Sequence, residues 1–240
     1  MQLKLSHLAG RLSRHLPKHR MIRRDGLAAR LFVPWGCHYV ASDLQELEQG
    51  RREPELYQWL SGLPQSAVLF DVGTSYGQEA ALASSLQDRD VTVVGFDCGL
   101  LHAHFCALNK RLNNDRFEFV FAAVGETSGM PVPITCNSDT HLPHLHRKNA
   151  PYSYEVPSLS LDDYAASRGL VPTHLKIDVD GAEFGVLKGA EKILENASLT
   201  DIFIEIDHEN DGIFGFLEAR GFSVSWRHDK PQNADVLFTR

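Results

Sequence analysis

Ser66 to Leu82 reads SAVLFDVGTSYGQEAAL. Val68, Leu69 and Phe70 form an apolar run, Asp71 closes it, and a turn carrying Gly73 and Gly77 leads into a helical pattern. A short apolar run ending in an acid and a turn is the pattern of a parallel strand buried on both faces, and the carboxyl ends of such strands are where open α/β sheets hold ligands. The glycines remove side chains where a ligand needs close backbone approach. Their GxxxG spacing differs from the GxGxxG of dinucleotide enzymes, whose three glycines bring the backbone against a pyrophosphate. One close-approach turn flanked by carboxylates instead suits a ligand without phosphate that offers amino and ribose hydroxyl groups.

About one helix later, Val91 to Phe96 (VTVVGF) repeats the apolar run and ends in Asp97, placing a second acid at the neighbouring strand tip, where it is expected to accept ribose hydroxyls. Leu101, Phe105, Leu108 and Leu112 follow at helical spacing and are expected to cover the sheet. Strand-like and helix-like segments keep alternating, with strands expected at Val68 to Asp71, Val91 to Asp97, Phe117 to Ala122, Leu175 to Asp178 and Ile202 to Ile206. Such alternation predicts an α/β fold, a Rossmann-like doubly wound and mostly parallel sheet. Ser223 to Arg227 and Asp235 to Thr239, joined by a short connection, are expected to pair as an antiparallel edge hairpin.

Ser158 to Leu194 reads SLSLDDYAASRGLVPTHLKIDVDGAEFGVLKGAEKIL and closely resembles the signature of the FkbM-type S-adenosylmethionine-dependent methyltransferases. The matching residues are Leu161 to Tyr164, then Lys176 to Val179, Gly181 to Glu183 and Val186 to Ala190. Asp180 stands where the family often has Glu, Ser75 where it usually has Asn, and Asp97-Cys98 where it commonly has Glu-Pro. Ala123, Val124 and Gly125 are similar to the AVG that follows the family's third strand, so the resemblance runs from about Leu63 to Arg240.

The resemblance implies a class I methyltransferase fold and S-adenosylmethionine as cofactor. The expected cofactor contacts are Asp71, Gly73, Ser75, Tyr76, Gly77, Asp97, Cys98 and Val124, the last against the adenine. On the acceptor side the expectation is Asp178 as base or acceptor-orienting carboxylate, Lys176 orienting nearby groups, and Asp180 and His208 as further contacts. Gly181 permits the turn into a helix opened by Glu183. Asp162 is expected only to cap the helix beginning near Asp163. The reaction implied is methyl transfer to a hydroxyl oxygen of a sugar, glycan or secondary metabolite. Two rivals stand beside it: a form in which Asp178, Asp180 and Asp207 bind Mg²⁺ through oxygen, and a non-catalytic partner-binding domain that keeps the fold.

With 240 residues and 43% hydrophobic content, the chain has the length and composition of one globular unit. No apolar run approaches the ~20 residues of a membrane span. Cys37, Cys98, Cys106 and Cys136 are irregularly spaced without a CxxC, the usage of reduced cytoplasmic thiols. Net charge is -7, yet residues 1 to 30 hold eight Lys or Arg against one acid, Asp25. Leucines interspersed with Lys4, Arg11, Arg14 and Lys18 suggest a basic amphipathic helix limited by Pro17. That arm either docks on the domain or meets an anionic membrane face or acidic glycan, so the expected location is cytoplasmic, with peripheral contact at the inner membrane face as the second option. The acidic remainder argues against nucleic acid. The chain divides, on this reading, into residues 1 to 62, a basic arm and helical cap, and residues 63 to 240, the methyltransferase domain. Leu31 to Val40 is expected to hold a short strand pair, and Leu44 to Leu60 a helix broken near Gly50. Ile134 to Tyr154 is expected to be a polar loop over the sheet edge; its His141, His144 and His146 have spacings zinc tolerates but no matching Cys or Glu partner, so acceptor recognition is favoured and no metal residue is assigned.

Overall fold

The computed structural model describes residues 19–33, 38–136, 143–145, 152–210 and 212–240. The chain opens with strands β1 (His19–Arg24) and β2 (Leu27–Phe32), paired antiparallel, and helices α1 (His38–Glu48) and α2 (Pro54–Ser61). Strand β3 (Val68–Val72) then begins the alternating region, followed by α3 (Gln78–Ala83), β4 (Thr92–Asp97), α4 (Leu100–Leu112) and β5 (Glu118–Phe121). Strands β6 (Ala123–Val124), β7 (Pro131–Cys136), β8 (Pro143–Leu145) and β9 (Tyr152–Leu159) come next. The chain closes through α5 (Leu161–Arg168), β10 (His174–Ile177), α6 (Glu183–Lys188), α7 (Glu191–Glu195), β11 (Asp201–Asp207), α8 (Gly212–Glu218), β12 (Ser223–Asp229) and β13 (Asn233–Thr239).

The main sheet has seven strands in the order β12-β13-β11-β10-β3-β4-β5. Its β11, β10, β3, β4 and β5 pair parallel, while β13 pairs antiparallel with both β11 and β12, so the expected hairpin forms the edge. The chain runs from β3 outward through β4 and β5, then returns to lay β10 on the other side of β3. That reversal between β3 and β10 is the switch point at which a doubly wound sheet opens a crevice.

Alternation within β3 explains the two layers on the sheet. Leu69 joins a core cluster with Leu44 and Leu47 of α1, Leu56, Tyr57 and Leu60 of α2, and Ala80 to Ala83 of α3. Phe70 and Val72 join the opposite cluster with Leu161 and Tyr164 of α5, Val186 and Leu187 of α6, and Ile213 and Leu217 of α8. β3 thus packs apolar residues on both faces, as its sequence required, whereas the neighbouring β10 carries Leu175 and Ile177 on one face and the buried His174 and Lys176 on the other.

Two expectations change. The strand pair lies earlier than Leu31 to Val40: it is β1 with β2, in which Ile22, Leu27, Ala29 and Leu31 alternate inward and are buried. Arg20, Arg23 and Arg24 therefore sit on a strand, and Arg24 is buried with Nη1 donating to the Leu47 and Arg52 carbonyls. The helix expected over Leu3 to Leu16 lies outside the described residues. Ile134 to Tyr154 is in part regular: β7 pairs antiparallel with β8 and β9, and β9 pairs parallel with β6. Ile134, Cys136 and Val156 are buried there in a small cluster with Cys98, Phe121 and Tyr154, so the apolar residues hidden in this polar stretch were its strand signal. His141 and His146 lie outside the described residues, and so does the side chain of His144.

Candidate functional site

The turn between β3 and α3 consumes its own donors. The Gly73 and Thr74 amides both donate to the Phe96 carbonyl at 2.9 Å, the Ser75 amide donates to Asp97 Oδ2 at 2.9 Å, and the Gly77 amide donates to the Thr74 carbonyl at 2.8 Å. A phosphate-binding loop keeps such amides free to cradle an anion. Here the amides of Gly73, Thr74, Ser75 and Gly77 are all spent, and what remains are acceptors. Gln78 Oε1, at the far end of the turn, is buried without a hydrogen-bond partner, while Asp71 Oδ1 at the near end faces Lys176 Nζ at 3.4 Å. A ligand seated here must bring donors.

Asp97 closes β4 as expected, and its carboxylate organises the strand tip. It accepts from the Ser75 amide and, through Oδ1, from the Gly99 amide at 2.7 Å, and it pairs with His102 Nδ1 at 3.0 Å. Two carboxylate oxygens offer about four lone-pair positions, so acceptor capacity is left beside the turn. Cys98 follows, with its carbonyl accepting from Tyr154 Oη at 3.0 Å. Burial, reinforced by Asp97, pushes the Cys98 thiol up to about 12 and keeps it neutral. Val124, on β6, is partly buried against the core beneath α5 to α8.

The two glycines are fixed by packing at least as firmly as by any ligand. Gly73 has φ +78°, and a Cβ there would lie 1.7 Å from the Asp178 carbonyl oxygen; Gly77 has φ +73°, with a Cβ 2.7 Å from Cys106 Sγ. Both also occupy the left-handed region that glycine enters without cost. Ser75 adopts φ +52° in the same turn. Tyr76 turns inward: it is 2% exposed, its ring packed edge-on against His102 and tilted against Phe105. A side-chain contact from Tyr76 to a cofactor therefore has no opening here.

Lys176 joins the two halves of the crevice. Its Nζ donates to the Gly73 carbonyl at 3.0 Å and lies 3.4 Å from Asp71 Oδ1 and 3.5 Å from Asp178 Oδ2. Burial opposes its charge, but Asp71 and Asp178 outweigh that cost and hold the ammonium well above the ordinary lysine value. Burial likewise pushes Asp71 up to about 6, against the pull of Lys176 and the hydrogen bond from Thr74 Oγ1 at 2.6 Å. Asp178 follows the last residue of β10, and its side chain keeps 39% exposure against 6% for Lys176. It is the most solvent-accessible member of this group.

Asp180 is exposed in a left-handed turn, φ +52°, which Gly181 continues at φ +97°. Glu183 is buried and accepts from the Gly181 amide at 2.9 Å, closing that turn. His208 sits after β11, exposed, with Nε2 donating to the Lys230 carbonyl at 2.9 Å. It is tied to the turn of the edge hairpin and does not line the pocket at the tips of β10 and β11. Asp162 does not start its own helix: Ser160 caps α5, and the Asp162 carboxylate accepts from the Lys192 and Ile193 amides at the start of α7. Among the described residues no group of three or more His, Cys, Asp or Glu is arranged to hold a metal ion, so Asp178, Asp180 and Asp207 form no such set. Sequence reading passed over Glu53, Glu205 and Asp235, which share the pocket with Lys176 and Asp178. Glu205 and Asp235 carry a signal in hindsight, each being an acid flanked by buried apolar residues within a strand.

A seven-stranded sheet of this order, with its antiparallel hairpin at one edge and a crevice at the switch point, defines the Rossmann-like class I methyltransferase fold. Residues 71–224 match the Methyltransferase FkbM domain, and the chain belongs to that family. Solved structures agree on the fold. Methyltransferase FkbM from Methylobacillus flagellatus KT superposes with a TM-score of 0.54 at 17% identity, over 82% of this chain; the chain spans 54% of that structure's length. Precorrin-6y C5,15-methyltransferase from Geobacter metallireducens GS-15 superposes with a TM-score of 0.51 at 12% identity, over 80% of this chain and 88% of its own. No curated protein sequence matches the chain.

Proposed function

We propose that this protein binds S-adenosylmethionine in the β3–β4 crevice and moves its methyl group to a hydroxyl oxygen of a sugar, glycan or secondary metabolite. The observation that carries the reading is the turn whose Gly73, Thr74, Ser75 and Gly77 amides are spent while the Asp97 carboxylate keeps acceptor capacity beside it, because S-adenosylmethionine brings an ammonium and ribose hydroxyls and no phosphate. When bound, it supplies a methyl already activated on a sulfonium. Asp97 accepts a ribose hydroxyl, and Asp71 fixes the turn beneath the cofactor through Thr74 and Lys176. Asp178 accepts the hydrogen of the attacking hydroxyl, and Lys176 holds that carboxylate in register with the Gly73 turn. Holding the partners in line contributes up to roughly 7 to 11 kcal/mol in well-oriented systems, and a general base typically ~10²- to 10⁴-fold in rate.

Calorimetry tests the cofactor reading: S-adenosylmethionine should give a saturable heat, and ATP and NAD should give none. Equal binding of ATP would remove the argument from the spent amides. Labelled-methyl uptake across cell-envelope glycans and nucleotide-sugar precursors then tests the hydroxyl acceptor.

A further inference from the structure

Leu56 and Glu53, at the start of α2, face the tips of β10, β11 and β13 across a pocket whose other charged lining is Lys176, Asp178, Glu205 and Asp235. Glu53 is the N-cap residue of α2, yet its side chain makes no capping hydrogen bond. Burial pushes its carboxyl above the usual range, against Arg52, with Glu79 and Asp178 adding to the push. The donors of this pocket are committed: Lys176 to the Gly73 carbonyl, Asp71 and Asp178, and neighbouring Lys230 to Glu205 at 2.8 Å and Asp235 at 2.7 Å. Glu53 belongs to the wall beside the exposed Asp178, contributed by a segment upstream of the family match at residues 71–224.

With its ammonium groups taken, the wall presents carboxyl groups alone, so an acceptor fitting it brings hydroxyl or ammonium donors, and an anion finds no free cation to pair with. We propose that Glu53 is a specificity-determining residue that hydrogen-bonds the methyl acceptor and restricts it to polyhydroxylated, non-anionic molecules such as a neutral or amino sugar. This rests on the methyl-transfer reading and adds the acceptor's class and the residue that selects it. The N-terminal segment thereby takes part in choosing the substrate.

The test uses the full chain with labelled S-adenosylmethionine and three probes: methyl glucoside, glucosamine and glucuronic acid. Wild type should methylate one of the first two with kcat/KM at least tenfold above that for glucuronic acid. Glu53→Ala should raise KM for that probe about tenfold, the loss expected for one hydrogen bond to a charged group, with kcat and cofactor affinity within twofold. Glu53→Gln, which keeps the size and removes the charge, should narrow the discrimination against glucuronic acid, a change that a purely structural role would not produce. Unchanged KM and discrimination in both variants overturn the proposal, as does a wild type that prefers glucuronic acid or takes none of the three while binding S-adenosylmethionine. A wild type that binds no S-adenosylmethionine counts against the methyltransferase reading itself.

Discussion

Gly73 shows how a residue chosen for one reason is held by another. The sequence marks it as a place where a ligand needs room, and the structure places the Asp178 carbonyl in that room instead. Any side chain there forces apart the turns after β3 and β10, both of which bear on the site. Gly73→Ala should therefore destabilise the fold by about 3 kcal/mol or more, combining a left-handed backbone with a backbone clash, and urea unfolding reads this directly. A variant with unchanged midpoint would show that the two turns separate without cost. The pair Asp162 and Asp178 divides in the same way. Asp162→Ala removes the acceptor for two α7 amides and should cost about 1 kcal/mol without altering single-turnover rates. Asp178→Asn should leave stability near wild type and lower the rate by 10²-fold or more. Equal, near-wild-type rates in the two variants would take Asp178 out of the mechanism.

At the scale of elements, the β1–β2 hairpin is built into the domain. Its outer strand finds no strand partner on the sheet, and α4 supplies the missing bonds through side chains. Asn113 Oδ1 accepts from the Arg30 amide at 2.9 Å, its Nδ2 donates to the Arg30 carbonyl at 2.8 Å, and Asn109 Oδ1 accepts from the Phe32 amide. Trp59 Nε1 ties α2 to Asp201 of β11 at 3.0 Å. The basic residues through Arg24 consequently do not form one detachable arm. Removing residues 1–33 strips four buried apolar side chains and should abolish cooperative unfolding. Asn113→Ala should cost about 1 to 3 kcal/mol, since it leaves the Arg30 amide and carbonyl unpaired. Calorimetric melts of wild type, the 34–240 fragment and Asn113→Ala read these outcomes, and a stable 34–240 fragment would show the hairpin to be dispensable.

Across the whole molecule, what was legible in the sequence is what local pattern determines. The apolar runs at Val68 to Phe70 and Val91 to Phe96 announced strands because both faces are buried, and the acids closing them fell at strand tips where the crevice opens. What was not legible depends on contacts distant in sequence: Glu53 reaches the pocket only because α2 packs beside β11, and Asp162 caps a helix thirty residues on. Glu205 lies on β11 among apolar neighbours, and burial with help from Asp178 pushes it up from 4.5 to about 7, despite Lys230. Its folded-state value lies above the unfolded one, so between those pH values the native protein holds a proton that the unfolded chain has lost. Stability from this group is complete below pH 4.5 and is lost as pH rises through 7. Asp71, pushed up to about 6, adds in the same direction at lower pH. Glu205→Gln removes the charge that must be buried, and Lys230 keeps Asp235 at 2.7 Å. The variant should therefore lose part of the decline between pH 5 and 8 and be more stable than wild type at pH 8 by on the order of 1 kcal/mol. Urea unfolding at unit pH steps measures the slope, and a variant that falls as steeply as wild type would assign the decline to other groups.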